Sequence, residues 1–174
     1  MATIDQFAAY LTGGGSRANQ FRVTFTSPVA AGAGLATTKT QYMCKSASLP
    51  GQTITEIPVN YRGRILYVAG DRTFETWTTT IVNDTDFQAR NAVEGWMSAI
   101  NDLESNQGLV RPRTYTADLI VEQLDASERV RKSYVMRNCW PTAINAIELN
   151  MDTVSAIEEF EITWRYTHFS ASSV

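Results

Sequence analysis

A long ribbon that contains two prolines constrains this chain more than any other part of its sequence. Residues 42–84 carry Pro50 and Pro58 among alternating apolar and polar side chains. Proline lacks the N–H that the ladder of a central strand needs, so the ribbon is expected at a sheet edge or on a projecting arm. An exposed edge offers unpaired backbone groups to another chain. We therefore predict that this protein pairs with copies of itself.

The composition is that of one globular domain. The chain has 174 residues, of which 44% are hydrophobic and 19% are charged, enough to build a real core. The net charge of −3 argues against a nucleic-acid binder that works through a basic surface. Residues 1–11 contain neither Lys nor Arg and no sustained apolar run, so we expect no secretory signal and no membrane anchor.

Alternating apolar residues predict antiparallel strands along most of the chain. The clearest is the last, where Phe160, Ile162 and Trp164 alternate with charged and polar residues. We expect Pro141 to stop the strand before it, and residues 170–174 to form a polar tail. The predicted strands are residues 22–26, 40–45, 61–69, 76–82, 115–124, 130–140, 143–151 and 158–166.

One long amphipathic helix is predicted at residues 85–103, where Val93, Trp96 and Ile100 recur at helical spacing. Residues 1–16 form a separate N-terminal arm, with a short helix followed by three glycines that act as a swivel. The expected fold is mainly β: an antiparallel β-sandwich or rolled barrel with one docked α-helix and a long extended β-ribbon. A single domain spans residues 1–174.

The sequence contains no recognisable catalytic, cofactor or metal site. His168 is the only histidine, and the two cysteines, Cys44 and Cys139, have neither a CxxC spacing nor a histidine partner. There is no GxSxG, P-loop or HExxH motif. We predict a protein that is not an enzyme and that needs no cofactor or metal.

Gly70-Asp71-Arg72 has two compatible interpretations. In the first, Gly70 takes the positive φ of a turn, Asp71 accepts backbone N–H groups and Arg72 pairs locally. In the second, Asp71 and Arg72 bridge to a neighbouring subunit. We favour the first for Asp71 and leave both open for Arg72.

Several motifs resemble those of the major tail tube proteins of contractile-tailed bacteriophages, in the same order and over nearly the whole chain. They are RANQFRV at 17–23, CKSASLPG at 44–51, IPV at 57–59, VAGDRTF at 68–74, Trp77-Thr78, Asn83-Asp84, Ala89-Arg90, Trp96, Trp140-Pro141-Thr142 and the strand 158–166. Such proteins are similar in fold to the haemolysin-coregulated ring protein of type VI secretion and to R-type pyocin tubes.

The resemblance implies hexameric rings that stack into the hollow inner tube of a contractile tail, with the inner strands joined into one continuous barrel. The tube penetrates the cell envelope and conducts DNA. The implied partners are further copies of this chain, the sheath, baseplate and tail terminator proteins, and the tape measure protein and DNA in the lumen. The protein would belong to the virion tail and assemble in the host cytoplasm.

The resemblance also assigns roles to residues. It places the ribbon 46–64 against the adjacent ring, together with the N-terminal arm and the C-terminal tail. The expected contacts between subunits and rings are Leu49, Pro50, Ile54, Ile57, Val59, Arg62, Arg64, Asp71 and Arg72. A weakly acidic or neutral lumen would let DNA pass without tight binding. Its candidate residues are Thr76, Thr78, Thr80, Glu159 and Glu161.

Two other classes of protein stay open. One is the tube of a phage-like injection or type VI-like secretion device that delivers protein effectors, which neighbouring capsid and terminase genes would distinguish. The other is a monomeric β-sandwich binding module, which predicts a compact monomer in sedimentation.

Overall fold

The structure is a computed structural model that describes residues 3–11, 15–28 and 37–173. Its helices are α1 (Ile4–Tyr10), α2 (Thr37–Met43), α3 (Gln88–Ile100) and α4 (Pro112–Tyr115). Its strands are β1 (Phe21–Thr24), β2 (Cys44–Ala47), β3 (Thr53–Tyr61), β4 (Arg64–Thr73), β5 (Trp77–Val82), β6 (Ala117–Leu124), β7 (Val130–Ile144), β8 (Glu159–Arg165) and β9 (His168–Ser173). Part of the predicted N-terminal arm, residues 1–2 and 12–14, lies outside the described residues.

The strands form two antiparallel layers that share the long strand β7. Its first part pairs with β6 and β9, giving sheet A in the order β1-β6-β7-β9. Its last part pairs with β8, giving sheet B in the order β7-β8-β5-β2. Among the described strands, β3 and β4 pair only with each other, as a separate hairpin. The mainly-β fold with a docked helix and a long ribbon is confirmed, but the described strands do not close into a barrel.

The core lies between the two sheets and is capped by α3. Strand β5 buries Trp77, Thr79 and Ile81 and turns the residues between them outward, which gives the alternation of a strand covered on one side. Trp164 lies 5.6 Å from Trp96 of α3 and 5.9 Å from Phe25, measured between ring centroids. The three aromatic rings therefore join the helix, sheet B and the segment after β1.

The predicted helix exists but is shorter than residues 85–103. It begins at Gln88, because Phe87 before it adopts a left-handed φ of 50°. It ends at Ile100, where the following loop folds back and Leu109 N–H donates to Ala99 O over 3.1 Å. A Cβ on Gly108 would lie 2.0 Å from Ile100 O, so only glycine permits this return.

Several predicted strands are wrong, and each error has a tertiary cause. Residues 40–43 are helical because α2 packs on the sheet, with Thr40 only 1% exposed. Pro141 does not end β7, since beyond it β7 is an edge strand where a missing N–H is tolerated. Residues 145–151 are not a strand, and the supposed polar tail instead pairs with β7 as β9.

Candidate self-association surface

The ribbon is a two-stranded hairpin whose bounds differ from the predicted 46–64. Strands β3 and β4 pair from Thr53 with Thr73 to Tyr61 with Arg64. The turn lies at Arg62 and Gly63, whose φ angles of 47° and 82° are both left-handed. The predicted turn at residues 70–71 is therefore wrong, because both residues lie inside β4.

Gly70 is needed for close approach rather than for a turn. A Cβ at this position would lie 2.8 Å from Thr55 Oγ1 and 3.0 Å from Thr55 O. The pairing register shifts at this level, between Ile54 and Glu56, so the hairpin carries a bulge there. Glycine thus lets the two strands come together where the hairpin is irregular.

Both faces of the hairpin expose apolar side chains. On one face, Ile57 is paired with Val68, and Val59 with Leu66, and these four side chains are 44–63% exposed. On the other face, Tyr67 is 62% exposed and Ile65 is 54% exposed. A two-stranded hairpin is at best marginally stable in water, and an exposed apolar surface of this kind is typical of a contact site.

The hairpin is tied to the sandwich at its base. The Trp77 indole Nε1 donates to Ser48 O over 2.6 Å, just before the hairpin begins. Just after it ends, Phe74 lies 5.9 Å from Tyr166 and 5.6 Å from Phe169. These contacts connect the projecting strands to the aromatic core.

The structure places the predicted contact residues along this arm. Leu49 and Pro50 precede the hairpin; Ile54, Ile57 and Val59 lie on β3; Arg62 is in the turn; Arg64, Asp71 and Arg72 lie on β4. The Asp71 group that bonds locally is its carbonyl, which accepts from Thr55 Oγ1 over 3.0 Å. Within the described residues the Asp71 carboxylate accepts no backbone N–H, so the interpretation favoured for Asp71 is wrong. Arg72 has no local ion pair there, which leaves the contact with a neighbouring subunit as a prediction.

Sequence reasoning missed the exposed residues Ile65, Leu66, Tyr67 and Val68 as contact candidates. The signal was present, because apolar residues on both faces of one strand require a cover on both sides. The sequence indicates that each face is covered and does not say which chain supplies the cover. The structure leaves these side chains uncovered.

Four of the lumen candidates lie on the outward face of sheet B. Thr78 and Thr80 alternate with the buried residues of β5, and Thr80 lies beside Glu161 of β8. Glu159 is at the start of β8, where its carboxylate accepts from Lys45 Nζ over 2.6 Å. Thr76 precedes β5 in the connection from β4. Hydroxyl groups and charges of both signs thus make up this face.

Sheet B also has two open edges of opposite direction. Its strands alternate in direction in the order β7-β8-β5-β2, so β7 and β2, at the two edges, run antiparallel to each other. Two copies placed side by side in the same orientation would bring β2 of one next to β7 of the other as an antiparallel pair.

The cysteines and the histidine in the described part of the chain differ in exposure. Burial raises the pKa of the Cys44 thiol and of the Cys139 thiol to about 12, which keeps both protonated at neutral pH. His168 is exposed at the start of β9. Among the described residues, no three His, Cys, Asp or Glu side chains are grouped to hold a metal ion. No helix in the described part of the chain is long and apolar enough to cross a membrane.

The fold and this surface are those of a structural subunit, a β-sandwich that carries a projecting hairpin. The chain matches the family described as phage tail tube protein over residues 16–172. It therefore belongs to the phage tail tube protein family, which confirms the resemblance drawn from its motifs.

Two relatives agree with this assignment. The chain is 31% identical over 168 residues to the tail tube protein of Serratia phage KSP90, and the match covers 95% of each protein. It is 32% identical over 123 residues to tail tube protein gp19 of Enterobacteria phage T4, covering 70% of this chain and 76% of that protein.

Solved structures share the fold at lower sequence identity. One is a chain of the anti-feeding prophage cap, which terminates a tube, with a TM-score of 0.69, 17% identity and 92% of each chain covered. Another belongs to the sheath–tube complex of an extracellular contractile injection system, with a TM-score of 0.60, 13% identity and full coverage of both chains.

Proposed function

We propose that this chain forms the inner tube of a contractile phage tail, as hexameric rings stacked into a hollow cylinder. The antiparallel edges of sheet B support ring closure. Six copies related by rotation pair β2 with β7 around the ring, and the closed sheet has no free edge. Head-to-tail contacts of this kind close only when the rotation between copies completes a circle.

The proposal that rings stack is supported mainly by the hairpin, which has two exposed apolar faces. Its residues Ile57, Val59, Leu66 and Val68 are 44–63% exposed in the described part of the chain. A second copy in the adjacent ring covers them in the assembled tube. The apolar surface, which is a liability for a monomer, then becomes the contact between rings.

The outward face of sheet B lines the lumen in this arrangement. Its side chains include Thr78, Thr80 and Glu161, and Glu159 is paired with Lys45. A hydroxyl-rich face without excess positive charge does not hold the phosphate backbone, because tight binding needs Lys and Arg contacts. DNA and a tape measure protein can therefore pass along it.

The role of the protein is mechanical and involves no catalytic step. The rigid tube is driven through the cell envelope when the surrounding sheath contracts, and it joins a baseplate at one end and a terminator at the other. The protein assembles in the host cytoplasm and ends in the virion tail. Relatives from two phages at 31% and 32% identity favour this over a secretion device.

Negative-stain electron microscopy of the purified protein over a concentration series tests the proposal. We expect rings at low concentration, hollow tubes at high concentration and six-fold end views. A protein that stays monomeric at every concentration, even with preformed tube ends added as nuclei, would contradict the proposed assembly.

A variant without the hairpin separates folding from stacking. Replacing residues 53–73 by a short Gly-Ser turn keeps Ser46 and Ala47 paired with β5, and keeps the Ser48 carbonyl bonded to Trp77. We expect a folded subunit with native circular dichroism that forms rings but no tubes. Long tubes from this variant would show that the hairpin has no part in stacking.

A further inference from the structure

The loop between β7 and β8, residues 145–158, exposes apolar and acidic side chains that contribute little to the subunit core. Leu149, Met151, Val154 and Ile157 are 72–102% exposed. The loop carries Glu148, Asp152 and Glu158 and no Lys or Arg. It encloses an open concavity of about 560 Å³.

The loop is nonetheless positioned by the sandwich. Asn145 N–H donates to Glu161 O over 2.9 Å at one end of the loop. At the other end, Asn83 donates from its backbone N–H to Glu158 O over 2.8 Å, and from Nδ2 to Glu158 Oε2 over 3.0 Å. Within it, Asp152 N–H donates to Asn150 Oδ1 over 2.9 Å. The exposed side chains thus project from an anchored loop.

This loop and the hairpin leave sheet B at opposite ends. Strand β7 ends at Ile144 and β8 begins at Glu159, which lies beside Val82 at the end of β5. The chain departs toward the hairpin at the other end, where β5 begins at Trp77 beside Trp164. In a stack of identically oriented rings, the hairpin end of one ring therefore faces the loop end of the next.

The two surfaces also complement each other in charge and polarity. Arg62 lies in the hairpin turn and Arg64 follows it, and the Arg62 guanidinium lies 5.3 Å from the centre of the Tyr61 ring. Within the described residues, neither arginine has an ion-pair partner, and neither do the carboxylates of Glu148 and Asp152. A basic tip with apolar strands thus matches an acidic loop with apolar side chains.

We infer that the loop 145–158 is the receptor for the hairpin of a second copy of this chain in the adjacent ring. Arg62 and Arg64 approach Glu148 and Asp152, and the aliphatic face of the hairpin covers the exposed side chains of the loop. This inference rests on the proposed stacking of rings and adds to it the receiving surface. It also fixes the polarity of the stack, because hairpin tip and loop attract while two hairpin tips repel.

The inference is tested by reversing the charges of the loop and of the hairpin tip separately, and then reversing both in one chain. The variants are Glu148→Lys with Asp152→Lys, Arg62→Glu with Arg64→Glu, and all four substitutions in one chain. We expect each pair alone to raise the critical concentration for tube growth about tenfold or more while rings persist, and the fourfold variant to recover most of the loss. Glu104→Lys with Glu128→Lys is the matched control, since it changes the net charge equally at exposed sites elsewhere.

The outcomes distinguish this inference from the proposed function. Tubes of normal length from Glu148→Lys with Asp152→Lys, or no recovery in the fourfold variant, would overturn the receptor assignment while the tube assignment stands. A wild-type chain that forms neither rings nor tubes would instead overturn the proposed function. If the loop variant fails to fold, as judged by circular dichroism, a NaCl series on wild-type tubes replaces it. Salt that leaves the critical concentration unchanged would then contradict the pairing, because screening weakens exposed ion pairs.

Discussion

Strand β5 and the β3–β4 hairpin are built from similar residues but have opposite surroundings. Both are rich in β-branched residues and contain an aromatic side chain, yet β5 buries every second residue while most of the hairpin is exposed. The difference lies in the neighbours: β5 has a strand on each side and a core beneath it, whereas β3 and β4 have only each other. An apolar pattern thus predicts a strand without predicting which chain covers it.

The two regions also contribute differently to the free energy of unfolding of the single subunit. The core around Trp77, Trp96 and Trp164 holds the single subunit together, since these rings are at most 1% exposed. The apolar residues of the hairpin contribute little until a second copy covers them, because only area removed from water is stabilising. Substitutions in the two regions should therefore affect different measurements.

The largest contrast is expected between Trp164→Ala and Tyr67→Ala. Trp164 is fully buried and its Nε1 donates to Thr79 Oγ1 over 3.0 Å, so its loss leaves a cavity and an unpaired hydroxyl. We expect a loss of about 3–5 kcal/mol in the free energy of unfolding, measured by urea denaturation of the unassembled subunit. Tyr67→Ala, on the hairpin, should change it by no more than about 0.5 kcal/mol. Equal losses would mean that the hairpin is part of the subunit core.

A smaller effect is expected from Gly70→Ala, with Gly51→Ala as the matched control. An added Cβ at Gly70 meets Thr55 Oγ1 at 2.8 Å, whereas at Gly51 nothing lies within 4 Å. We expect Gly70→Ala to distort the hairpin, raising the critical concentration for tubes about fivefold or more while the urea midpoint stays unchanged. If both glycine variants assemble like the wild type, the close approach at the bulge does not matter for stacking.

The smallest expected difference is in the rates at which the two thiols are alkylated. Each has a pKa of about 12 instead of the ordinary 9.0, so at pH 8 about one thiol in 10⁴ is a thiolate and alkylation by iodoacetamide should be slow. Cys139, fully buried in the core, should react only on global unfolding, and Cys44, half-buried at an open edge, should react first. Mass spectrometry of labelled peptides checks the order.

The same pKa shifts predict how stability depends on pH. The folded state disfavours both thiolates, so their effect on stability is constant below about pH 9. Stability falls as the pH rises from about 9 towards 12, because the unfolded chain then loses protons that the folded chain keeps. A free energy of unfolding that rises over this range would contradict burial as the cause of the shifts.

The sequence predicts those elements whose structure is set by neighbouring residues in the chain, and it fails where contacts with distant residues decide the structure. The alternation in β8 and the helical spacing around Trp96 were sufficient to predict a strand and a helix, since one face of each element is buried in its own subunit. The local sequence of residues 40–43 was not sufficient, because Thr40 and Tyr42 favour a strand and only packing against the sheet makes the segment helical. Pro141 was misjudged because edge and central positions look alike in a sequence.

The sequence predicted that the candidate site is a projecting ribbon, but it did not predict the position of the turn or the loop 145–158. Two prolines and apolar residues on both faces indicated a projecting ribbon that pairs with other copies. Its turn was placed at Gly70 instead of Gly63, because both glycines follow strand-like residues and only the pairing register decides between a turn and a close approach. The loop 145–158, proposed as the receptor, had no distinguishing pattern, since Leu149 and Met151 were attributed to a strand at residues 143–151.

The sequence by itself therefore determined the composition of the core strands, the amphipathic helix, the family and the presence of a ribbon too apolar to remain exposed. These depend on local periodicity and on motifs that are written in consecutive residues. Only the tertiary structure decided which end of sheet B carries the hairpin, which end carries the acidic loop, and that the sheet has two open antiparallel edges. Those features depend on strand order and register, which are set by contacts between residues far apart in the chain.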